Sequence, residues 1–129
     1  MIAHVRTVDG VAVVDLDDAG LVSLDPSTPF EAPVQPPVDL PLVVAAASCG
    51  STIVAVVDTK PPIVVSHDAG RTWRDSGRGL PAGRAVAIST EDPDVVLYAT
   101  RNRLYVSRDG GRFWQGLPLE LPEIEAIAL

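Results

Sequence analysis

The sequence predicts an all-β fold assembled from repeated four-stranded antiparallel units, on three observations. The octapeptide Ser66-His67-Asp68-Ala69-Gly70-Arg71-Thr72-Trp73 returns, altered, as Ser107-Arg108-Asp109-Gly110-Gly111-Arg112-Phe113-Trp114, 41 positions later. A fixed period near forty, punctuated by Gly and aromatic residues, is what stacked sheet repeats leave in a sequence. The apolar runs are short and Val-rich, and they are bounded by Asp, Gly, Pro and Asn, which is strand-and-turn punctuation. No window holds a sustained 3.6-residue apolar stripe, and the 12 prolines each fix φ and remove a donor, so helix is not expected.

The elements follow in order when the offset of 41 is carried along the chain. In the second unit Val43–Ser48 is the innermost strand, Ser51–Asp58 the next, Ile63–His67 the third and Thr72–Asp75 the outermost. The third unit repeats them as Ala85–Thr90, Val95–Arg101, Leu104–Arg108 and Phe113–Gln115. Stepping back, the first unit takes Ile2–Val8 as its innermost strand, then Val11–Leu16, Leu21–Asp25 and a fourth strand around Phe30 to Val34. A Leu-Pro pair precedes a unit start at 40–41, 80–81 and 121–122, and the last segment, Ile124 to Leu129, begins a further unit. The chain then divides into units over about 2–41, 42–82 and 83–123, with an extra inner strand at 124–129. The innermost strands (Val-Ala-Ala-Ala, Ala-Val-Ala-Ile) carry small apolar side chains, which suits strands crowded toward an axis. Four-stranded units radiating from an axis make a β-propeller.

The composition is that of a folded chain, 47% hydrophobic and 21% charged. A net charge of −7 argues against general nucleic-acid binding. The single Cys49 excludes an intrachain disulfide. No apolar run is long enough for a membrane helix, and Met1-Ile2-Ala3-His4 does not open a signal peptide. The expected location is cytoplasmic, or secreted if the chain is a processed fragment.

The octapeptides resemble the Asp-box, or BNR repeat, with the pattern Ser-x-Asp-x-Gly-x-Thr-Trp. It occurs in sialidases, sortilin-type receptors, xyloglucan-processing glycoside hydrolases and photosystem II assembly factors. The resemblance implies a hairpin between the third and fourth strands of a blade. The residue types suit that place on their own chemistry. Asp68 and Asp109 accept bonds from turn N–H groups, Gly70 and Gly111 supply positive φ, and Trp73 and Trp114 bury a ring between neighbouring blades. Ser66, Thr72 and Ser107 complete the pattern. Phe113 stands where the family has Thr, so one hydroxyl bond is lost and ring packing is expected to replace it. In the first unit Asp25-Pro26-Ser27-Thr28-Pro29-Phe30 is too degenerate to count as a copy. A structural staple accounts for every residue type in the box, whereas a sugar site accounts for none.

Catalytic constellations are absent from the pattern. The Phe/Tyr-Arg-Ile-Pro motif of sialidases has no counterpart, and Tyr98 and Tyr105 fall inside strands, where packing is their expected role. Paired carboxylates for glycoside hydrolysis would have to come from Asp17, Asp18 or Glu91. Asp15, Asp17, Asp18 and Gly20 resemble part of a calcium loop but lack its bidentate Glu and flanking helices. His4 and His67 have no partner at metal-ligand spacing. Ser66 and Ser107 sit in no nucleophile elbow, and no phosphate loop is present. No cofactor and no metal are expected.

Charge is uneven. The loops that join second to third strands, and each unit to the next, contribute Lys60, Arg78, Arg84, Arg101 and Arg103, while the first unit places Asp17 and Asp18 on the same rim. That rim is the candidate ligand face, for an anionic or carbohydrate group or a protein. Three units cannot surround an axis, since propellers close with about four to eight blades. A second copy related by a two-fold axis supplies a ring of six, with the partner's last segment and Ile2–Val8 competing for one slot. The expected function is a non-catalytic, self-associating interaction scaffold of the Asp-box type. The alternative is a carbohydrate-binding or glycoside-hydrolase propeller, or a fragment of one.

Overall fold

A computed structural model describes all 129 residues. Twelve strands form and no helix does: β1 (Ile2–Thr7), β2 (Gly10–Asp15), β3 (Gly20–Asp25), β4 (Val43–Cys49), β5 (Thr52–Val57), β6 (Ile63–Ser66), β7 (Arg74–Ser76), β8 (Ala85–Ile88), β9 (Val96–Ala99), β10 (Arg103–Ser107), β11 (Gln115–Glu120) and β12 (Ile124–Ala128). They make three four-stranded antiparallel sheets, ordered β12-β1-β2-β3, β4-β5-β6-β7 and β8-β9-β10-β11.

The third sheet lies between the other two. One of its faces gives Val86, Ile88, Val96 and Tyr98 to a core shared with Ala45, Val54, Val56, Ile63 and Val65 of the second sheet. Its other face gives Ala87, Leu97, Leu104 and Val106 to a core shared with Val5, Ala12, Val14, Ile124 and Ile127 of the first sheet. The alternation of side chains along each strand makes this possible: neighbours Val96 and Leu97 enter different cores. Sheets buried on both faces need near-continuous apolar strands, which is what Val96–Ala99 provides.

The first sheet departs from the offset of 41. Its innermost strand is β12, from the far end of the sequence, with Ile127 opposite Val5 and Ile124 opposite Thr7. Ile2–Thr7 is therefore the second strand of its sheet, equivalent to β5 and β9 and not to β4 and β8. The stretch from Phe30 to Val34 forms no strand, because β3 already holds the outer position. Ile124 and Ile127 are 0% and 2% exposed, so burial of two β-branched side chains fixes the pairing. No segment competes for the inner slot.

A smaller slip occurs in β4. Val43 faces Val57 but Ala45 faces Val56, leaving Val44 as an extra residue. That bulge lets Ala45 point into the core shared with the third sheet while Val44 stays exposed. Residues 29–39, between the first and second sheets, have no regular structure. Six of the 12 prolines fall between Pro26 and Pro41, which removes the donors a strand would need.

Candidate functional site: hairpins, rim and axial crevice

Three places concentrate polar or functional side chains, and the hairpin turns are the most regular. In the β6–β7 turn the Ser66 hydroxyl donates to Asp68 Oδ1 at 2.8 Å and accepts the Gly70 N–H at 2.8 Å. Asp68 Oδ1 also accepts the Thr72 N–H at 2.9 Å, and Oδ2 accepts the Thr72 hydroxyl at 2.6 Å. The β10–β11 turn repeats the first part, with Ser107 to Asp109 at 2.7 Å and Gly111 N–H to Ser107 at 2.9 Å. Asp109 Oδ1 takes the Phe113 N–H at 3.1 Å. Gly70 and Gly111 have φ of +88° and +92°, the left-handed region where a Cβ is strained. The Thr72 hydroxyl and N–H, with Ser66, hold the Asp68 carboxyl down at about 2. Asp109 is also lowered, by the Phe113 N–H first and then by Ser107.

The two turns differ in what their aromatic residues do. Trp114 is half-buried beside the core of the second and third sheets, its ring edge-on to Tyr98 at 5.9 Å. Its indole N–H donates to Ser76 Oγ at 2.9 Å, across the seam between the sheets, and Ser76 in turn donates to the Gly111 carbonyl. Trp73 packs over Gly70 of its own hairpin, near Ile53. Phe113 is 78% exposed. Its ring does not replace the missing hydroxyl bond, because the turn before β11 leaves it in solvent, and Asp109 Oδ2 has no partner from the chain.

Position 15–20 holds a third turn of the same place in the fold. β2–β3 is the hairpin of third and fourth strands in the first sheet, and there Asp15 Oδ1 accepts the Asp17 and Asp18 N–H groups at 2.9 and 3.4 Å. Asp15-Leu16-Asp17-Asp18-Ala19-Gly20 thus stands where Ser66 to Arg71 and Ser107 to Arg112 stand, at an offset that the period of 41 misses. Asp17 consequently lies among the hairpins, not on the rim: it takes the Met1 ammonium at 2.7 Å and Arg108 at 3.5 Å, and the ammonium holds its carboxyl low. Asp18 is on the same turn. Neither joins the basic loops, which leave the opposite ends of the strands.

The rim itself is largely neutralised. Glu123 receives Arg101 at 2.8 Å and Arg84 at 3.6 Å, and Glu120 receives Arg103 at 3.7 Å. Arg84 also donates to the Ile124 carbonyl. Lys60 and Arg78 make no ion pair and border one crevice with Pro61, Pro62, Gly79 and Leu80. Of the five basic residues gathered there, two remain open to an anion. No cluster of three or more metal-ligating side chains occurs, and no helix is long and apolar enough to cross a membrane.

The third place is an axial crevice that the sequence did not signal. The innermost strands β4, β8 and β12 converge on it through Ala46, Val86 and Ala126. The linker enters it with Ala32, Pro33 and Gln35, and its Phe30 ring lies 5.3 Å from the Arg6 guanidinium on the open side of the first sheet.

No family model matches the sequence, and no curated protein matches it. Among solved structures, the chain is similar to one described as YCF48 bound to D1 peptide, with 21% identity over 58% of this chain and 25% of that one, at a TM-score of 0.48. It is also similar to the GH74 enzyme of Niastella koreensis, with 19% identity over 93% of this chain and 18% of that one, at a TM-score of 0.49. The chain spans a quarter or less of the length of these two proteins.

Proposed function

We propose that the chain is a non-catalytic β-propeller module of the Asp-box type, working as an interaction scaffold that closes with a second copy into a ring of six sheets. The observation that carries this reading is the completeness of each sheet. Every sheet has its four strands from one chain, so two copies add without any strand having to be exchanged. The middle sheet is covered on both faces, whereas the first and second sheets each keep one face that no other sheet covers. On the first sheet that face leaves Ile2 42% exposed on the same side as Arg6, and apolar surface of this kind favours association. The hairpin groups are spent on their own turns and on the seam, which supports a structural role for the boxes.

Light scattering over a dilution series tests this. A mass near twice 13.6 kDa that persists on dilution is expected. A stable monomer at all concentrations overturns self-association and leaves the scaffold reading to stand on partners of another kind.

A further inference from the structure

The linker between the first and second sheets is held without the hydrogen bonds of regular structure. Between Thr28 and Leu42 the backbone makes no hydrogen bond to the rest of the backbone, and no side chain in residues 29–41 makes one. Its seat is nevertheless defined. Phe30 stacks on Arg6, which projects from the first sheet on the side opposite Val5 and Thr7. Three residues on, Pro33 lines, with Ala32 and Gln35, the crevice whose other wall includes Ala46 of the inner strand β4. Ala46, Ala55 and Val57 face away from the third sheet, yet they are 5%, 0% and 7% exposed. The linker that runs beside this face is extended chain with prolines at 29, 33, 36 and 37, itself largely open to solvent, with Val34 94% exposed.

An extended proline-rich segment loses little backbone entropy on docking, because its φ angles are already set. Small, flat walls of Ala and Val suit close approach of such a backbone, and an arginine offers a cation face to one aromatic anchor. We propose that this groove is a binding site for an extended, proline-rich segment of a partner protein carrying an aromatic anchor about three residues before a proline, and that residues 28–41 occupy it in cis until displaced. The proposal rests on the interaction-scaffold reading above but not on self-association. The tethered segment competes with any incoming one at a high effective concentration, so the free site shows itself only when the linker is weakened.

The test uses the full chain and a fluorescent peptide of residues 27–40, with a scrambled peptide as control, followed by anisotropy. In one variant residues 29–37 are replaced by Gly and Ser at equal length, and in a milder one Phe30→Ala removes only the anchor. The Gly-Ser variant is expected to bind the peptide at least about tenfold tighter than the natural chain, and Phe30→Ala about two- to fivefold tighter, from the usual strength of an exposed cation–π contact. Adding Arg6→Ala to the Gly-Ser variant is expected to remove the preference for Phe in the peptide. Equal binding of authentic and scrambled peptides, or no gain in a Gly-Ser variant whose circular dichroism remains that of a β protein, overturns the site. Peptide binding by a chain that scatters as a monomer supports the groove while disproving the dimer. A dimer without peptide binding does the reverse.

Discussion

Asp68 and Asp109 show what one hydroxyl changes. Both sit in the same turn with the same Ser and Gly partners, but only Asp68 receives a side-chain hydroxyl on Oδ2. Phe113 occupies that position in the second copy and is exposed. Phe113→Thr is expected to restore the bond, to add about 0.5–1 kcal/mol after allowance for solvent exposure, and to move the Asp109 titration further down. Carboxylates held below their unfolded value contribute stability above about pH 4 that is lost as pH falls through the folded value. For Asp68 that window ends at about 2. Thermal melts at pH 7 and pH 3, with carboxyl titration by NMR, check both parts. An unchanged Asp109 titration in the variant would show that the hydroxyl does not reach. The resemblance of the two octapeptides made these partners legible, because every bond is local. The fate of the Phe113 ring was not legible, since it depends on which way the turn carries it relative to the neighbouring sheet.

Among elements, β3 is the exposed one. Leu21, Val22 and Leu24 are 45%, 63% and 40% exposed on an outer edge strand, whereas the outer strands β7 and β11 carry Arg74, Asp75, Pro118 and Glu120. Charge and proline discourage edge-to-edge pairing, and β3 has no proline and only one charge, Asp25 at its end. Val22→Lys is expected to slow aggregation on heating and to change the melting temperature by less than about 3 °C, because the side chain is solvated already. Turbidity and calorimetry measure the two separately. Unchanged turbidity would place the aggregation-prone surface elsewhere, with the exposed Leu42 and Val44 the next choice. The inner-element boundaries were largely legible, since Val-rich runs between Gly, Asp and Pro mark them, but the third sheet's outer strand runs Gln115–Glu120 and not Phe113–Gln115. The bulge at Val44 was not, because one extra residue leaves the pattern of small apolar residues intact while reversing which face each presents.

At the scale of the whole molecule, the joining of β12 to β1 is the decisive event. It brings Ile127 opposite Val5 across nearly the full length of the chain, and long-range pairing of this kind carries a large loop-closure cost. Ile127→Ala is expected to destabilise the chain by about 2–5 kcal/mol, through the loss of a side chain only 2% exposed. Urea denaturation gives the value. A loss below about 1 kcal/mol would mean that β12 detaches without unfolding the first sheet.

The sequence by itself determined the all-β class, the four-stranded repeat and the hairpin chemistry at Asp68 and Asp109. These follow from local spacing, where a turn and its donors lie within eight residues. Only the tertiary structure decided that the last strand completes the first sheet, that Asp17 belongs with the hairpins, that Glu123 and Glu120 neutralise Arg84, Arg101 and Arg103, and that the proline-rich linker lines the axial crevice. Each depends on which distant segments share a core or a seam. The burial of Ile124 and Ile127 sets the first of these, and a local period cannot report burial that segments more than a hundred residues apart create together.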